Sequence, residues 1–261
     1  MKGSRRLLAP FLISAATVLL LGGCSGAAGS KKYIIATDTT FAPFEYTDEK
    51  GAFVGADVDI LAAVAKDQGF QYQLNPLGFD AAVAALESNQ ADGVIAGMSI
   101  TDARKEKYNF SEPYYNSYVV MAVIASDSSI KGYADLSGKS VAAKTGTEGA
   151  KYAESIAGKY NFKINYFQDS PTMYEDVKTG NTVACFEDSP VMAYGISQGN
   201  GLKMVNDPNE KPAASQYGFA VMKSSAANQD LLAKFNAGLA KMKQNGQLKA
   251  IMDKYNLNYD F

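Results

Sequence analysis

The stretch DGVIAGMSITDARK, Asp92 to Lys105, decides how the chain is read. Asp92 to Gly97 is a short apolar run bounded by an acid and a glycine, the pattern of a buried strand in an α/β sheet. A turn of small and hydroxyl residues follows, and then Thr101-Asp102, which can cap a helix. Arg104 falls in the first turn of that helix, the end at which the helix dipole disfavours a cation. Its planar fork suits bidentate binding of a carboxylate or phosphate. The motif therefore carries either an anion contact or a surface salt bridge of little worth.

Working outward, strand and helix patterns alternate, which argues for α/β layers. YIIATD (33–38) is an apolar strand, DVDILAAVAKDQG (57–69) a helix stopped by Gly69, FQYQL (70–74) an alternating strand and FDAAVAALES (79–88) a second helix. YVVMAVIAS (118–126) is the longest strand candidate. From about residue 131 a second set begins: strands KSVAAK, FKINYF, TVACF and LKMVN, with helices EGAKYAESIAGKY, SPTMYEDVKTG and SPVMAYGISQG between them. QYGFAVM (216–222) reads as one strand, and the tail carries Leu231, Phe235, Leu239 and Met242 on one helical face. The halves echo one another in order, each closing on a polar turn after a strand, AGMSITD in the first and EDSP in the second. Open α/β sheets bind ligands outside the carboxyl ends of their strands. Two such turns facing across a cleft predict a two-sided site.

The 261 residues suit one large domain or two smaller ones, and 47% hydrophobic content supplies sizeable cores. A formal net charge of −2 leaves no electrostatic footprint for nucleic acid. With no histidine, Ser-His-Asp and Cys-His catalysis and most zinc sites are excluded. MKGSRR followed by the apolar run LLAPFLISAATVLLL reads as a leader, too short for a membrane span. Beyond Cys24 the only cysteine is Cys185, in an apolar run, so no internal disulfide or CxxC motif exists and an inert buried thiol is expected.

Four places carry chemistry. Asp38 ends the first strand, with Phe41 and Phe44 nearby, as a capped turn over core aromatics or as a polar contact beside an aromatic wall. Arg104 is the second. Lys144 ends a strand, and Thr145-Gly146-Thr147-Glu148 leads into a helix whose start favours an anion. Glu187-Asp188 ends a strand, where Asp188 is either a helix cap ahead of Ser189-Pro190 or a ligand contact.

Taken together, YIIATDTTFAPFEY, GFDAAVAALESNQADGVIAGMSITDARKEKYNFSEPYY, DLSGKSVAAKTGTEG, FEDSP and QYGFAV resemble the family 3 extracellular solute-binding proteins of polar amino-acid ABC importers, nearest to the glutamine-binding type. The resemblance spans residues 33–257. Leu21-Gly22-Gly23-Cys24 likewise resembles a bacterial lipobox, which implies lipidation of Cys24 and a membrane anchor. The family implies a two-lobed periplasmic-binding-protein-like fold of type II, each lobe a sheet flanked by helices. The expected division is a signal peptide over 1–23, a lipidated tether over 24–32, lobe 1 from 33–114 and 218–261, lobe 2 from 119–213, and a hinge at 115–118 and 214–217.

The resemblance implies that Arg104 grips the α-carboxylate of a free L-amino acid, aided by Ser99 and the amide of Thr147 or Glu148. Asp188 and the carbonyl of Gly97 hold the ammonium, Phe41 and Phe79 sandwich the aliphatic part, and Asp38 with Lys144 reads the side-chain end. An acid beside a base can meet both ends of a side-chain amide, so glutamine is the first choice, with glutamate, asparagine and histidine as alternatives. Glu148 and Glu187 depart from the glutamine-binding pattern and are expected to alter the pocket rim. No cofactor and no catalysis are implied. The partners are the ligand, a permease and the membrane, around a monomer on the extracytoplasmic face. A sensory lipoprotein and a cyclohexadienyl dehydratase-like enzyme are the rival readings.

Overall fold

The structure is a computed structural model that describes residues 31–212 and 214–259. The leader, the lipobox with Cys24 and the tether up to residue 30 lie outside the described residues. The first lobe begins with β1 (Lys32–Thr37), followed by the short strands β2 (Thr40–Phe41), β3 (Glu45–Thr47) and β4 (Phe53–Val54). Helix α1 (Ala56–Gln68), β5 (Gln71–Pro76), α2 (Phe79–Glu87), β6 (Gly93–Val94), α3 (Asp102–Lys107) and β7 (Tyr108–Phe110) come next.

The chain then crosses to the second lobe along β8 (Tyr115–Ile124), and continues through β9 (Ser140–Lys144), α4 (Glu148–Tyr160), β10 (Lys163–Phe167), α5 (Ser170–Lys178), β11 (Cys185–Asp188), α6 (Ser189–Ser197), β12 (Leu202–Val205) and β13 (Ala214–Tyr217). It returns to the first lobe with β14 (Ala220–Met222), α7 (Ala226–Gln244) and α8 (Gln247–Lys254).

Each lobe is built on one mixed sheet. The first runs β5-β1-β6-β14-β7, with β1 parallel to both β5 and β6 and β14 antiparallel to its neighbours. The second runs β10-β9-β11-β8-β12, and β13 adds to the first residues of β8, pairing Tyr217 with Tyr115 and Ala214 with Tyr118. Strands β2, β3 and β4 form a small separate antiparallel sheet. Its hairpin turns at Asp48, whose carboxylate accepts the amides of Lys50 and Ala52. That Asp-x-x-Gly turn between two short apolar runs is the signal by which the sheet could have been found.

Local chemistry sets the helix ends. Gly69 closes α1 and Asn161 closes α4 in left-handed conformation. Thr147 caps α4 and Asp169 caps α5, each accepting a backbone amide in the first turn. Leu231, Phe235, Leu239 and Met242 of α7 are buried, and α7 packs on α1 closely enough that a Cβ at Gly238 would sit 3.0 Å from Val64. Phe219 stacks on Phe235 with ring centroids 4.5 Å apart.

QYGFAVM is two strands, not one. Tyr217 ends β13 in the second sheet, Ala220 begins β14 in the first, and between them the Gly218 amide donates to Met98 O and the Phe219 amide to Ser111 Oγ. The run changes sheets at its glycine, so uniform hydrophobicity conceals the break. TVACF also shifts: the strand starts at Cys185 and runs on to Asp188.

Candidate functional site

A narrow cavity lies between the carboxyl-end turns of the two sheets. Nine of the ten binding residues expected from the sequence line it: Asp38, Phe41, Phe79, Gly97, Ser99 and Arg104 from the first lobe, and Thr147, Glu148 and Asp188 from the second. Ala96 also lines it and was not foreseen. Lys144 does not. It is fully buried, and its ammonium is taken up by the carboxylate of Asp38 and, at 3.3 Å, by the hydroxyl of Thr40. Asp38 and Lys144 come from opposite lobes, so the pair bridges them.

Arg104 is delivered by a short capped helix: Thr101 Oγ1 accepts its amide at 3.2 Å. Its guanidinium donates to Ser99 O at 2.9 Å and across the cleft to Gly146 O at 3.0 Å, and lies 5.3 Å from the Phe79 ring centre. Among the described residues no carboxylate pairs with it within salt-bridge distance, so the surface salt bridge is not what this arginine makes. Burial draws its pKa down, and the negative charges of Glu148 and Asp188 oppose that shift.

Gly97 faces the cavity with a φ of +51°, and a Cβ there would lie 2.2 Å from the Phe41 ring. Only glycine fits both the conformation and the ring. Its amide donates to Asp57 Oδ2 at 2.8 Å. Ser99 lies beside Ser215 of β13, with their hydroxyl oxygens 3.4 Å apart. Thr147 accepts from the Ala150 amide and donates its hydroxyl to Lys144 O at 2.7 Å.

Asp188 ends β11 at the head of α6 yet makes no capping bond. It accepts instead from the Tyr217 hydroxyl at 2.7 Å, while its Oδ1 is buried with no hydrogen-bond partner among the described residues. Loss of hydration and the neighbouring Glu187 push its pKa up to about 7, against the pull of Tyr217 and Arg104. Glu148 Oε2 is a second such oxygen.

Glu187 corrects an expectation. It does not shape the rim of the cavity; it accepts from Ser170 Oγ at 2.9 Å, Tyr174 Oη at 3.0 Å and the Asp188 amide at 3.0 Å, inside the second lobe. Three donors hold it there, and it does not line the cavity. Cys185 is buried, with its thiol pKa pushed up by burial, as an inert thiol would be.

Sequence reasoning missed Tyr217 as the residue that orients Asp188, the Gly146 carbonyl, and Asp57 beneath Gly97. Tyr217 alone had a signal, an aromatic hydroxyl where the chain returns between lobes.

A two-lobed α/β protein with a charge-lined cavity between its lobes defines a class of binding protein. Residues 33–258 match the bacterial extracellular solute-binding proteins, family 3, and the chain belongs to that family. It is 33% identical over 236 residues to the arginine-binding periplasmic protein of Mannheimia haemolytica, an alignment covering 90% of this chain and 95% of that one. An ancestral arginine-binding protein bound to glutamine is 34% identical, covers 86% of this chain and 97% of its own, and superposes with a TM-score of 0.77. Lactococcus lactis GlnP substrate binding domain 2 in open conformation is 43% identical, with 88% and 96% covered, and its TM-score is 0.58.

Proposed function

We infer that the protein binds a free polar L-amino acid, glutamine first, and delivers it to the permease of an ABC transporter. The observation that carries this reading is the pairing, in one cavity, of the Arg104 guanidinium with the unpartnered carboxylate oxygen of Asp188. A cation and an anion facing one cavity suit the carboxylate and ammonium of a zwitterion. Ser99, Thr147 and Glu148 add polar groups around the carboxylate, the Gly97 carbonyl is the ammonium's second acceptor, and Phe41 and Phe79 enclose the aliphatic stem.

Glutamine is favoured because Asp38 and Lys144 satisfy each other's charge. A neutral amide can donate to Asp38, the member of the pair that lines the cavity, without displacing Lys144. A guanidinium would have to compete with Lys144 for Asp38. The ancestral arginine-binding protein bound to glutamine is consistent with an amide in a site of this kind. Arginine is the second reading, supported by the name of the Mannheimia relative and by the free oxygen of Glu148.

Ligand-driven closure of the lobes is part of the same reading. The Asp38–Lys144 pair and the Arg104–Gly146 bond both cross the cleft. The better superposition on a ligand-bound relative than on a more identical open one supports a closed arrangement here. Closure is a two-state change biased by contacts made only in the closed form.

Calorimetric titration with a panel of L-amino acids, after unfolding and refolding to strip bound ligand, tests the assignment. Tight binding of glutamine alone is expected. Tight binding of arginine instead would move the specificity to Glu148, and heat from none of them would end the proposal.

The pH dependence follows from Asp188. In this arrangement, with no ammonium beside it, its pKa is pushed up to about 7, so binding an ammonium below that pH is expected to release a proton. Affinity should therefore rise with pH, by up to about tenfold per unit below pH 7, and level off above it. Asp188→Asn should flatten that slope; an unchanged slope in the variant would remove Asp188 from the ammonium site.

On the lipobox reading the protein is anchored through Cys24 to the extracytoplasmic face of a bacterial cell membrane. Cys24→Ser should shift the protein from the membrane to the soluble fraction. Retention of the variant would rule out the lipid anchor.

A further inference from the structure

Two acids buried beneath the cavity make a unit that the binding residues do not use. Glu45 of β3 and Asp57 of α1 are both fully buried. Asp57 Oδ2 accepts from the Gly97 amide at 2.8 Å and from the Tyr114 hydroxyl at 2.8 Å. Its other oxygen and both oxygens of Glu45 meet no donor among the described residues. The two residues are neighbours across the start of α1, where the Asp57 amide donates to Phe44 O at 3.0 Å, and each carboxyl group shifts the other's titration. Two carboxylates cannot hydrogen-bond to one another, and two unpaired buried charges in contact would be very costly. A single proton between them removes both problems, since a carboxylic acid donates where a carboxylate accepts.

We propose that Glu45 and Asp57 share one proton at neutral pH, and that this singly charged pair positions the Gly97 peptide on which the ligand's ammonium rests. Glu45 is the acid and Asp57 the carboxylate. The donors decide this: Gly97 and Tyr114 both give hydrogen bonds to Asp57, and none among the described residues reaches Glu45. Burial and the charges of Asp57 and Asp38 push the pKa of Glu45 well above the carboxylate range, with Lys144 opposing. Asp57 is raised to about 6. The pair also reaches the crossing between lobes, because the amide of Tyr114 donates to Tyr217 O at 3.0 Å. An N–H given to a negatively charged acceptor fixes the Gly97 peptide plane and with it the direction of its carbonyl. The positioning half of the proposal rests on the ammonium assignment above; the shared proton does not.

The purified full chain can be tested by infrared difference spectroscopy in heavy water at neutral pH, wild type minus Glu45→Gln. A carboxylic-acid carbonyl band with no matching carboxylate band is expected, and a carboxylate band alone would overturn the shared proton. Should Glu45→Gln not fold, the wild-type minus Asp57→Asn difference serves: it should lose one carboxylate and no acid band. For the positioning role, glutamine titrations are compared. Glu45→Gln keeps a donor and should bind within about twofold of wild type. Glu45→Ala strands Asp57 and should bind about tenfold more weakly, with a new pH dependence around neutrality. Equal, pH-matched binding by wild type and Glu45→Ala would refute positioning. A wild type that binds no amino acid would defeat the ligand reading and the positioning role, and would leave the infrared result standing by itself.

Discussion

Arg104→Ala should weaken amino-acid binding by about 10²–10⁴, as read by calorimetric titration. The figure follows from what the guanidinium holds. A carboxylate brought into the closed cavity without its counter-charge is a buried charge with its partner removed, a loss of roughly 3–5 kcal/mol. The side chain also ties the lobes together through Gly146 O. Alanine therefore removes a ligand contact and a closure contact at once. Arg104→Lys separates the two, because a lysine keeps the charge but not the planar fork. It should recover part of the affinity and none of the bidentate geometry. A loss of less than tenfold in Arg104→Ala would mean that the ligand's acid sits elsewhere.

The second large effect is expected at Lys144. Asp38 is buried and, among the described residues, its cationic partner is Lys144. Lys144→Met would leave that carboxylate with the Thr39 and Thr40 amides alone. Removing one side of such a pair costs about 3–5 kcal/mol, while replacing both sides by uncharged groups is often nearly neutral. Because the partners belong to different lobes, the penalty falls on closure, and ligand affinity should drop by about 10² or more. The double variant Asp38→Asn/Lys144→Met should recover much of the closure. Solution scattering with and without ligand would follow it. If the single variant closes and binds as wild type does, the pair is not the bridge between the lobes.

Much of this was legible in the sequence, for a physical reason in each case. Strand and helix periods alternate cleanly from Tyr33 to Tyr72 and again from Val141 to Phe167, because each strand is covered by helices and each helix buries one stripe. Arg104 stood out as a cation at the wrong end of a helix, and Asp188 as an acid at the end of a buried strand. What stayed hidden depends on which distant segments meet. Nothing local says that QYGFAVM changes sheets at Gly218, since both halves are equally apolar. Nothing local turns Glu187 inward and Asp188 outward either, although the two are adjacent; β-strand alternation puts them on opposite faces, but Ser170 and Tyr174 decide which face is which. Lys144 reads as a cavity residue until Asp38, more than a hundred positions earlier, is seen to take up its charge.

The place of β14 in the first sheet bears on the order in which the molecule can assemble. That strand sits between β6 and β7, pairing Ala220 with Val94 across roughly 120 residues of chain. The second sheet draws its strands from one unbroken stretch and can form while the rest of the chain is still emerging. The first sheet cannot be completed until β14, in the last fifth of the polypeptide, is present to join β6 to β7. Loop closure over so long a separation is slow, so on refolding the lobe that holds Arg104 should mature last, and the capacity to bind should appear later than most of the secondary structure.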